Sequence, residues 1–266
     1  MPLNRGLGRP TNGHPFDPVT AAINDIHHED PDRSVDALKH IQEMLSDTPH
    51  FFEDSVQTLT DALLDELDRA FTPPEQMRQP EYFRLVKHLI QSFSGIACNH
   101  SLIRRLTFDD LYALLQGLSL RLVQADRLGG TCAELSKYIN MIIIQSLSTP
   151  DRLLVFKVMF KLLYNLVKDF GINRTDPDEE IAAHADLILK CLWKRCKVLD
   201  EDLKSGRLDA GKLLRVIEEF LEGIGPQEWR RRDQEGIALG GMPLRTIKTV
   251  LQRMACESTR LIDDLG

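Results

Sequence analysis

Apolar residues along the chain recur at three- and four-residue steps, and the period-two alternation that marks a half-buried strand is absent. Between Phe83 and Ala97 the apolar set is Phe83, Val86, Leu89, Ile90, Phe93 and Ala97; further on it is Leu244, Ile247, Val250, Leu251 and Met254. Each set is a stripe along one face of a helix. Proline at or near a first helical turn (Asp17-Pro18, Thr149-Pro150, Asp176-Pro177, Met242-Pro243) and glycine at helix exits (Gly129-Gly130, Gly171) cut the pattern into pieces. The spacing predicts helices at about 18–28, 32–46, 50–71, 80–99, 107–125, 131–147, 150–170, 177–199, 209–223 and 243–256.

Two of these helices are apolar on more than one side. Arg152 to Phe170 leaves only a thin polar strip at Lys157, Lys161, Asn165 and Lys168, and Tyr138-Ile139-Asn140-Met141-Ile142-Ile143-Ile144 has the same character. Helices of that kind are expected to be covered on several sides, with one-sided helices flanking them. The gradient predicts an all-α fold, an α-solenoid of about five hairpins with a period of roughly 40 residues, in the HEAT or armadillo range. A single continuous domain is expected over 17–266, preceded by a flexible segment at 1–16.

Composition narrows the class further. No stretch approaches the roughly 18 uninterrupted apolar residues of a membrane span, and the first residues lack the apolar core of a signal peptide. The five cysteines (Cys98, Cys132, Cys191, Cys196, Cys256) are odd in number and set among apolar helical residues, which fits buried free thiols in a reducing compartment. The sequons at Asn99 and Asn173 then carry no meaning, since glycosylation requires the secretory route.

The 33 basic and 40 acidic residues give a formal charge of -7, unevenly distributed. From Asp17 to Glu81 there are sixteen acids and four bases, a net of -12; residues 82 to 266 carry 24 acids and 27 bases, a net of +3. The acidic opening argues against a broad nucleic-acid surface.

No constellation of catalytic groups is present: there is no phosphate loop, dinucleotide fingerprint or His-Glu-x-x-His metal helix. No enzyme activity, cofactor or metal is therefore expected. His27-His28-Glu29-Asp30 could hold a metal on paper, yet it sits at a helix end where polar residues gather anyway. Cys191 and Cys196, five apart, point apart around a helix and read as core thiols; His88 and His184 read as isolated, solvated or capping side chains.

Basic residues in the turns stand out. In a hairpin array the turns inside each hairpin line up along one edge, and side chains there form a rigid ridge. The predicted turns carry Arg78, Arg127, Arg174 and a longer loop, Gly225 to Met242, with Trp229, Arg230, Arg231 and Arg232. These seven residues are the candidate partner-binding set: Arg and an exposed Trp suit an acidic protein surface. The bland alternative is that the arginines are solvated, or neighbour Glu228, Asp233 and Glu235.

The segments Leu187-Ile188-Leu189-Lys190-Cys191-Leu192-Trp193-Lys194 and Met242-Pro243-Leu244-Arg245-Thr246-Ile247-Lys248-Thr249-Val250-Leu251 resemble the last HEAT-like domain of the ch-TOG/Minispindles family of microtubule polymerases. In that family a Lys-Cys-Leu-Trp helix precedes a Pro-x-Arg-Thr-x-Lys-Thr helix, and both occur here in order. The resemblance implies a TOG-like paddle whose turn edge, in the family's standard domains, holds curved tubulin with a Trp in the first turn. Here that turn reads His28-Glu29-Asp30-Pro31-Asp32, acidic and without Trp. The resemblance further implies a non-enzymatic interaction domain, with a TACC-type coiled coil or tubulin as partner, at spindle poles, centrosomes and microtubules of the cytoplasm. Neither nucleic acid nor membrane is expected as a partner, and the chain is expected to be a monomer. The competing expectation is a helical-repeat scaffold of a translation or transport complex that binds RNA or a peptide.

Overall fold

The computed structural model describes residues 18–148, 151–171 and 178–263, the last eight of these by backbone alone. The segment 1–16 expected to be flexible, together with Pro150, Arg174 and Pro177, lies outside the described residues. Thirteen α-helices occur among the described residues: α1 (Pro18–Asn24), α2 (Pro31–Asp47), α3 (Val56–Ala70), α4 (Pro80–Cys98), α5 (His100–Ile103), α6 (Phe108–Leu128), α7 (Cys132–Ser148), α8 (Arg152–Val167), α9 (Glu179–Cys196), α10 (Leu199–Lys204), α11 (Ala210–Gly223), α12 (Pro226–Gln234) and α13 (Met242–Asp263). No strand occurs among them, and the fold is an all-α solenoid.

Local chemistry starts these helices where their side chains can satisfy unpaired amides. The Asp30 carboxylate accepts from the Asp32 amide at 3.0 Å, and Asp151, Asp178 and Asp209 cap α8, α9 and α11 in the same way. Thr107 and Asp110 form a reciprocal capping box at α6. The expected helix at 50–71 is divided: a short 3-10 turn, Pro49–Phe52, precedes α3 because Pro49 fits a first turn and Ser55 flanks the next start.

The helices form two layers. One contains α1, α3, α6, α9 and α13, each packed on the next; the other contains α2, α4, α7, α8 and α11. A continuous apolar core runs between them from Val19 to Met254. Through α7 the chain alternates between layers, and then it changes phase: α8 stays in the layer of α7, and α9 returns to the layer of α6. Direction changes with it. The Ser119 hydroxyl meets the His184 ring at 2.6 Å and Gln124 donates to Glu180 at 3.2 Å, so α6 and α9 are antiparallel. Phe160 packs on Phe220 at 5.3 Å and Tyr164 against Gly223, so α8 and α11 are parallel.

Helix α8, packed on α6, α7, α9 and α11, is covered on several sides as its sequence predicts, with Lys157, Lys161 and Lys168 exposed. Helix α7 is not: Tyr138 and Met141 are 54% and 45% exposed. It lies in the outer layer over α6, with α4 and α8 beside it, and nothing among the described residues covers its outward face. His184, expected to be solvated or capping, is 3% exposed. Burial pushes its pKa down to about 4, so its ring is neutral against Ser119.

Candidate functional site

Both halves of the solenoid place their intra-hairpin turns on one edge, because the phase change after α7 inverts layer order and helix direction together. Neighbouring turns on this edge are joined by polar contacts. Arg69 on α3 donates to the His28 carbonyl of the first turn at 3.1 Å and binds Glu66, which is fully buried and also meets His27 at 3.5 Å. From α6, Arg121 reaches back to Asp68 and along its own helix to Gln124 at 2.5 Å. Arg121 is nearly buried over the Phe71 ring at 5.4 Å, and burial is the main influence lowering its pKa, opposed by Asp68. Gln124 and Arg127 carry the chain of contacts to Glu180 and Glu179 at the start of α9. Arg232 completes it, donating to the carbonyls of Val167 and Lys168 at the end of α8.

These contacts give the edge rigidity, and they use up most of its arginines. Arg78 is exposed at the end of the 3-10 turn Pro74–Arg78. Arg127 is exposed beside Glu179 and Glu180. Arg230 is exposed, whereas Arg231 is held by Glu228 at 2.7 Å and by Glu235. Acids are at least as prominent on the same edge: Glu29, Asp30, Asp32, Asp68, Glu75, Asp126, Glu179 and Glu235 are all exposed.

The expected loop around Trp229 is helix α12. Gly225 and Pro226 start it, and Trp229, expected to be exposed, is 1% exposed. Its ring lies between Phe220, stacked at 6.2 Å, and the Arg232 guanidinium at 4.9 Å. An aromatic on an otherwise polar nine-residue segment buries itself because α8 and α11 supply the apolar wall, which no local periodicity announces. Glu228 accepts hydrogen bonds from Arg231 and Arg232, which lower its pKa to about 2.

Sequence reasoning did not single out Glu66, Asp68, Arg69, Arg121 or Gln124 as edge residues. Two of them carried a signal: Glu66 falls on the buried stripe of α3 with Leu59, Leu63, Leu67 and Ala70, and Arg121 interrupts the apolar run of α6. A charge on a buried stripe needs a partner, and the partner was out of sight. Among the described residues no cluster of His, Cys, Asp and Glu has the geometry to hold a metal. His28 instead accepts from the Asp30 amide at 3.0 Å, and burial raises the Cys191 and Cys196 thiols to about 11.

No protein-family model and no solved structure matches the chain. Curated relatives do, and two of them carry spindle or centrosome names. One is "Protein mini spindles" of Drosophila melanogaster, 27% identical over 126 residues, which is 47% of this chain and 5% of that protein. The other is "Centrosomal protein 224" of Dictyostelium discoideum, 24% identical over 216 residues, 74% of this chain and 10% of that protein. The chain thus spans a small fraction of the length of either relative.

Proposed function

We propose that this chain is a non-enzymatic protein-interaction module of a larger microtubule-associated polymerase, acting at spindle poles and centrosomes by binding a TACC-type coiled coil or tubulin. The observation that carries the reading is the similarity to a centrosomal protein over 74% of the chain, joined by a second match to a spindle protein. The structure supplies what such a module needs, a stiff two-layer stack whose turns are tied to one another along one edge. The strongly perturbed side chains also suit a structural part: His184 is a neutral core residue and Cys191 and Cys196 are core thiols far from the thiolate form.

Gel filtration of the purified chain with tubulin dimers, with a TACC coiled coil and with a structured RNA tests the reading. Co-elution with tubulin or the coiled coil is the expected result; co-elution with RNA alone overturns it in favour of a nucleic-acid scaffold. Reversing Arg78, Arg127 and Arg230, the members of the candidate set that are exposed among the described residues, distinguishes the turn edge from other surfaces: loss of capture places the partner there.

A further inference from the structure

The outward face of α7 has apolar residues for which folding gives no reason. Tyr138 and Met141, one turn apart, stand against α4 and line a groove of about 340 Å³ together with Ile90, Leu135, Ile142 and Lys87. Ile90, Leu135 and Ile142 are buried on its floor, while Lys87, Tyr138 and Met141 are exposed along its rims. The apolar run is two helical turns long, roughly 10 Å, the length over which a partner helix presents anchors at i, i+3 or i+4, and i+7.

The electrostatic surroundings are positive. Lys87 on α4 and Lys137 on α7 are exposed and make no ion pair among the described residues. Glu134 is the one exposed acid on α7 beside the groove.

We propose that the groove between α4 and α7 receives an amphipathic helix of a partner protein, its apolar stripe seated on Tyr138, Met141 and Ile90 and its bordering carboxylates facing Lys87 and Lys137. This occupant deepens the protein-interaction reading given above and rests on it. The apolar contacts supply affinity by removing Tyr138 and Met141 from water, and the lysines select against basic helices.

A phage-displayed library of amphipathic helices, randomised at the polar positions, is panned against the chain. The selected peptides are then titrated by fluorescence anisotropy into wild type, Met141→Glu and Lys87→Glu, each checked for folding by circular dichroism. The proposal expects selected helices enriched in Asp and Glu, an affinity loss of about tenfold or more for Met141→Glu, and a smaller loss with weakened salt dependence for Lys87→Glu. Selected helices without acid enrichment, or indifferent to Met141→Glu, overturn it. So does a dimer in sedimentation that Met141→Glu dissolves, since the occupant is then a second copy. Failure of tubulin and the TACC coiled coil to co-elute leaves these readouts unchanged, so the groove and the microtubule reading fail separately.

Discussion

The guanidinium of Arg232 on α12 donates at 2.7 Å to the main-chain carbonyl of Val167, at the end of α8 and 65 positions earlier in the chain. A second amino group bonds the Lys168 carbonyl, Nε bonds Glu228 at 2.9 Å, and the plane covers Trp229. One side chain therefore caps a helix terminus, fixes a neighbouring carboxylate and closes the aromatic stack of Phe220 and Trp229.

Removing that side chain leaves carbonyls without donors and Trp229 uncovered. Arg232→Ala is expected to cost about 3 kcal/mol of folding stability, whereas the exposed Arg230→Ala is expected to stay within about 0.5 kcal/mol of wild type. Urea titrations followed by Trp fluorescence measure both; equal effects contradict the burial-based distinction.

His184 makes the chain sensitive to mild acid. Its folded pKa, about 4, is below the 6.5 of an exposed ring, so the unfolded state takes up a proton first as pH falls. Stability is expected to fall from about pH 6.5 down to about pH 4 and to level off below that, by up to about 3 kcal/mol from this residue. His184→Gln, which keeps a partner for Ser119, removes most of that slope. Thermal melts of both proteins at pH 7, 5.5 and 4.5 test this.

Glu228 acts in a lower window. Its folded pKa of about 2 is depressed from 4.5 by Arg231 and Arg232, so its contribution is complete above about pH 5 and is lost as pH falls toward 2. The carboxylate is partly exposed, and screening by water holds the effect to about 1 kcal/mol. Glu228→Gln is expected to lower stability at pH 7 and to lower it clearly less at pH 2.5, measured by denaturant midpoints at each pH.

Gly171 and Gly129 both have positive φ, at 72° and 64°, yet a methyl group meets different surroundings at each. At Gly171 a Cβ would overlap Ile237 Cδ1, and at Gly129 nothing is within 4 Å. Gly129→Ala is expected to cost about 1 kcal/mol from backbone strain alone, and Gly171→Ala clearly more because Ile237 must move as well. Comparing the two denaturation midpoints separates strain from crowding.

The helices themselves were a property of the sequence. Stripe, cap and proline act within a few residues, so α2, α4, α6, α9 and α11 lie close to where Val35, Leu89, Thr107, Asp178 and Asp209 imply. The alignment of the turns on one edge needed the packing as well, because it rests on the joint inversion of layer order and helix direction after α7. A stripe states that a face is buried and says nothing of what covers it. Only packing decided that α8 would remain in the layer of α7, that Tyr138 and Met141 would face outward, and that Trp229 would be buried while Trp193 is 38% exposed. The arginines show the same division. Nothing near Arg121 or Arg232 in the chain reveals Asp68 or the Val167 carbonyl, 53 and 65 positions away, and the folded neighbours alone determine whether a charge greets a partner or ties two turns together.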